Sequence, residues 1–157
     1  MKKMLLGAFV GVVLVGAVGI PATSFAAATQ YTIHETFSEP PTADVNPCTV
    51  GTGMFSQIGK VVIHETLNAS GGAFTLTVVG TFTFVGDNPT DSVSGRFTGW
   101  FGGTFNAKGV IQDGGTFSVT GTGTGGTRIV EHDVGHVTIG ADGTVHVSFD
   151  RQTLSCL

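Results

Sequence analysis

Beyond residue 28, apolar and polar residues alternate with a period of two, and no stretch carries the 3.6-residue rhythm of a helix. The alternation is clearest from Ala73 to Val85. Phe74, Leu76, Val78, Phe82 and Phe84 share one face, while Thr75, Thr77, Thr81 and Thr83 share the other. Such a strand is longer than the usual five or six residues or so, as in the wall of a strongly coiled sheet. Gly80, on the apolar face, predicts a bend. From Ser92 to Asn106 one face reads Val93, Gly95, Phe97, Gly99, Phe101, Gly103, Phe105, and the other Ser94, Arg96, Thr98, Trp100 and Thr104. Large and absent side chains taking turns on one face fill a narrow interior without overpacking.

Further strands are predicted at Tyr31–Phe37, Gly59–Asn68, Gly114–Thr124, Thr127–Ile139 and Gly143–Arg151, with an eighth at Gly53–Ile58. Clusters of Gly, Asn, Asp and Pro separate them and imply hairpin connections. The expected fold is all-β, a small antiparallel meander barrel of about seven or eight strands, because closure removes exposed edges. A β-sandwich is the alternative.

The first 28 residues change this picture. Lys2 and Lys3, an apolar run from Met4 to Ile20, Pro21 and the small residues up to Ala28 have the layout of a secretory signal peptide. Cleavage after Ala26 or after Ala28 fits equally, leaving one β domain over 29–157 in a secreted, extracellular protein. Without the leader, five Lys+Arg face eleven Asp+Glu, a net charge of −6. The remaining cations are scattered, which argues against nucleic acid and against an anionic membrane surface as partners. Cys48 and Cys156 both lie in the exported part, where one disulfide between them is the expectation. The oligomeric state is not legible.

Candidate chemistry is sparse. His132 and His136 are four apart, but on a strand that spacing spans about 13 Å, so they cannot share one ion and no metal site is expected. His34 and His64 meet only if their strands pair in register. Alternation turns Glu35 and Glu65 toward the apolar side, where burial raises a carboxyl pKa into the range useful for proton transfer. These two form a candidate acid/base pair, and His132 joins them if Val130 and Val134 mark the inward face of its strand; the opposite choice turns Glu131 and Asp133 inward. Trp100, outward beside Arg96 and Thr98, is a candidate binding platform. No nucleophile or cofactor motif is present.

Asn46-Pro47-Cys48, Thr98-Gly99-Trp100-Phe101-Gly102, Phe149-Asp150-Arg151 and Cys156 together resemble a group of small secreted actinobacterial proteins of uncharacterised activity. That resemblance implies location rather than chemistry. More loosely, the Gly/Thr-rich meander looks like the barrels of allene oxide cyclases and dirigent proteins, which implies a lumen for apolar small molecules. The leading expectation is a secreted barrel that binds a small, largely apolar ligand through Phe82, Phe84, Phe97, Phe101 and Trp100, without turnover or cofactor. The alternatives are a cyclase or isomerase using Glu35, Glu65 and His132, and a structural or interaction protein of the cell surface.

Overall fold

The structure is a computed structural model that describes residues 28–157; the leader, apart from Ala28, lies outside the described residues. Seven strands follow one another as β1 (Thr29–Val45), β2 (Thr52–Asn68), β3 (Gly71–Gly86), β4 (Val93–Asn106), β5 (Ile111–Gly123), β6 (Arg128–Ile139) and β7 (Val145–Cys156). They form one antiparallel sheet in the order of the chain, with a short 3-10 turn at Pro89–Asp91. The all-β meander is therefore as expected. Backbone pairing stops at β1 and β7; no ladder joins these two among the described residues. The Cys48–Cys156 disulfide links the loop after β1 to the end of β7 instead.

The apolar face is packed by a repeated cross-strand pair. Phe37 stands opposite Gly59, Phe97 opposite Gly80, Phe82 opposite Gly95 and Phe117 opposite Gly99. Phe74 likewise faces Gly103, Phe105 faces Gly72 and Phe101 faces Gly115. Each ring lies over its partner glycine. A Cβ built on Gly59, Gly95 or Gly99 would fall 2.6–2.9 Å from the opposing ring, and one on Gly80 or Gly115 would collide with it. Glycine thus supplies the room in which the ring covers the neighbouring backbone and loses water. Burying a phenylalanine this way stabilises by about 1.5–3 kcal/mol. Ring contacts then cross the interior: Phe37 on β1 lies 6.2 Å from Phe97 on β4, and Phe97 lies 5.8 Å from Phe117. Strands β1 and β4 are not ladder neighbours; the two rings meet above the Gly59–Gly80 pair that lies between them.

At Gly80 the missing side chain seats the Phe97 ring, and the β2–β3 and β3–β4 registers run through it unbroken. Three elements differ from the sequence reading. The two pieces expected at 53–58 and 59–68 are one strand, because Gly59 accommodates Phe37 rather than ending the pairing. β1 continues past Phe37 to Val45, with Pro40 and Pro41 absorbed by a register shift between Glu39 and Thr42. β7 begins later and runs on to Cys156.

The loop that carries Cys48 is fixed by a buried polar side chain. Asn46 is 2 % exposed; its Nδ2 donates to the Asp91 carbonyl (2.7 Å) and its Oδ1 accepts from the Cys48 amide (2.9 Å). This ties the loop to the turn after β3 and holds the cysteine where β7 ends.

Two outcomes test this architecture. Gly80→Ala should lower unfolding free energy by about 1–3 kcal/mol in urea denaturation, whereas Gly135→Ala, where a new Cβ meets only ordinary contact, should stay within about 0.5 kcal/mol or stabilise. Equal effects would refute the ring-over-glycine account. Replacing both cysteines by serine opens a cross-link spanning 108 residues and should cost about 4–5 kcal/mol by the chain-entropy relation; a loss under about 1 kcal/mol would show that the sheet edges hold without it.

Candidate functional site

The interior face is apolar over β3, β4 and the adjoining part of β5, and acidic over β6 and β7. Alternation on β6 turns Ile129, Glu131 and Asp133 inward, at 5 %, 2 % and 4 % exposure. Register places Glu131 between Val119 and Leu154, and Asp133 between Phe117 and Gln152. Asp150, opposite Gly135, lies on the same face one step further along and is exposed, so the acidic group opens to water there.

These carboxylates are poorly compensated. Gln152 Nε2 donates to Glu131 Oε1 at 2.5 Å. Glu131 Oε2 and both oxygens of Asp133 are buried and meet no donor group of a neighbouring residue, the two carboxyl groups lying against each other, and no Lys or Arg pairs with them among the described residues. Burial, then the charges of Glu131 and Asp150 and a hydrogen bond with the Glu131 side chain, push the Asp133 carboxyl from 3.8 up to about 6. Asp113 on β5, opposite Val137 and Gly103, is a further half-buried acid with an unpartnered Oδ1. Burial raises its pKa, against the opposing pull of the Gly114 amide and the His136 charge. A second glutamine–glutamate pair sits across β2 and β1, where buried Gln57 donates to Glu39 Oε2 at 2.7 Å.

The residues singled out from sequence fall elsewhere. Glu35 pairs with Val61 and Glu65 with Tyr31, so four residues of β2, about 13 Å, separate the two along the sheet. Glu35 is exposed and Glu65 half-buried. They do not form a pair. His132 is exposed on the outer face, where its Nδ1 lies 2.9 Å from Ser118 Oγ, so it cannot join interior carboxylates. Its strand had apolar residues at both parities, and the face carrying Ile129, Glu131 and Asp133 is the inner one. His34 and His64 are offset by two residues, and His64 Nδ1 lies 3.0 Å from Thr32 Oγ1. Of the aromatic candidates, Phe82, Phe84 and Phe97 are core residues packed against their own chain, and Phe101 is half-buried over Gly115. Trp100 is outward and half exposed, with its ring over Gly102.

Among the described residues no group of three or more His, Cys, Asp or Glu is placed to hold a metal, and no helix is long and apolar enough to cross a membrane. No protein-family model matches the chain, and neither curated proteins nor solved structures give a match. The geometry therefore carries the functional reading by itself. What it offers is a sheltered anionic surface next to aromatic rings, able to accept hydrogen bonds or to hold a proton near neutral pH.

The raised Asp133 pKa has a measurable consequence. Between about 4 and 6 the folded protein holds a proton that the unfolded chain has already released, so stability falls as pH rises through that window. Asp133→Asn should flatten this dependence and raise stability above pH 6 by about 1–3 kcal/mol, read from urea unfolding at two pH values. A variant that is less stable at pH 7.5 would show that the carboxylate is compensated.

Proposed function

We propose that this is an exported, disulfide-tied binding protein for a small, largely apolar ligand, acting without turnover. The observation that carries this reading is the buried carboxyl pair of Glu131 and Asp133 beside Phe117, which Gln152 alone supplies with a hydrogen-bond donor among the described residues. Buried carboxylates without partners are costly, and a ligand that donates hydrogen bonds or brings a positive charge removes that cost. An apolar body would meet the partly accessible rings, Phe101 among them, while an amine at its end would meet Asp133. The signal-like leader and the disulfide support export. The group of secreted proteins that the sequence resembles fits the same location.

One observation favours a second reading. A carboxyl that titrates near 6 is suited to general-base catalysis, so a cyclase or isomerase would use Asp133 rather than Glu35, Glu65 and His132.

A matched series separates these possibilities: 2-phenylethylamine, 2-phenylethanol and 3-phenylpropionate, titrated into the protein by calorimetry at pH 7.5. The binding account predicts the order amine, alcohol, acid, with the preference for the amine lost in Asp133→Asn and kept in Glu65→Gln. No binding across the series, or a preference for the acid, would overturn it. Chemical change of any bound compound over hours, abolished in Asp133→Asn, would favour the enzyme.

A further inference from the structure

The outer face carries a feature of opposite sign. A groove of about 390 Å3 crosses β4, β5 and β6, and Arg96 and Arg128 stand at its two sides. Its floor is the glycine backbone at Gly95 and Gly121, and its remaining walls are the hydroxyl residues Ser94, Thr120 and Thr122. The register explains the convergence. Arg96 is the cross-strand neighbour of Thr120, and Thr122 lies between Ser94 and Arg128. The two arginines thus flank β5 from either side, their main chains about 12 Å apart, and both side chains can lean over the same two threonines. The main chain of Arg128 is held in place by two hydrogen bonds with Leu157, at 2.6 and 2.9 Å.

Charge makes the arrangement notable. The sequence has only three arginines among an excess of acids, and two of them share this groove. None of the lining residues is acidic, and no ion pair engages either guanidinium among the described residues. Two guanidinium groups thus stand around three hydroxyls, with no acidic side chain among the lining residues. Guanidinium forks match the oxygens of a phosphate or sulfate group, and hydroxyl groups complete such a shell. The volume exceeds that of the anion alone and leaves space for a small polar body.

We infer that this groove is a binding site for a small molecule bearing a phosphate or sulfate monoester. It lies on the face opposite Asp133, so it stands or falls independently of the interior site. The test is an NMR titration of the disulfide-bonded protein with glucose 6-phosphate and, separately, glucose 6-sulfate, each at pH 5 and pH 7.5 and constant ionic strength. Saturable shifts should centre on the amides of 94–96, 120–122 and 128. Arg96→Gln and Arg128→Gln should each weaken binding about tenfold or more while leaving the remaining spectrum and the melting temperature unchanged, because both side chains are exposed. The two sources separate by pH: a phosphate ester gains its second charge near pH 6, so its binding tightens at pH 7.5, whereas a sulfate ester binds alike at both. Tighter binding of either ester identifies which group the site prefers. Shifts that fail to saturate for both esters, or affinities unchanged in both variants, would overturn the site.

Discussion

The fold depends on one local exchange, in which a phenylalanine on one strand occupies the volume that a glycine on the next strand leaves free. Neither residue suits a sheet interior alone, since glycine weakens a strand and a row of rings on every strand would overfill a narrow core. Opposed across the ladder, they interlock. The rings of Phe37, Phe97 and Phe117 then form a continuous line from β1 through β4 to β5. Asn46 and the disulfide act on what remains, fixing the two edges that backbone pairing leaves open.

The same arrangement divides the interior. Glycine-backed rings occupy β3 to β5, and β6 and β7 present Glu131, Asp133, Gln152 and Asp150 to that face. Placing charge beside aromatic packing is expensive, and among the described residues Gln152 is the one side chain that donates a hydrogen bond to it. Outside, the hydroxyl-bearing face gathers two of the three arginines at one groove. The protein thus offers sheltered acid within and exposed base without.

Much of this was legible in the sequence, and the failures have physical causes. The two-residue rhythm of β3 and β4 was plain because every inward position there is apolar or glycine. In β2 the glycine at position 59 reads as punctuation unless its cross-strand ring is known, and that ring belongs to residue 37. In β1 two prolines read as an end, although an edge strand tolerates them where a register shift absorbs the lost donors. The inner face of β6 was undecidable because Ile129 and Val130 point opposite ways, and hydrophobicity argues against an inward pair of acids. Glu35 and Glu65 shared a face, as alternation implied, but pairing register depends on where the turn falls, and it set them apart.

A double-mutant cycle at Gly99 and Phe117 examines the interlocking directly, since a methyl group at Gly99 would meet the side chains of Val78, Phe101 and Phe117. Unfolding free energies of the parent, Gly99→Ala, Phe117→Leu and the double variant give the coupling. If rings occupy glycine-made space, the alanine costs at least about 1 kcal/mol less once the opposing ring is trimmed. Additive costs, within about 0.3 kcal/mol, would mean that ring and glycine are neighbours without being partners.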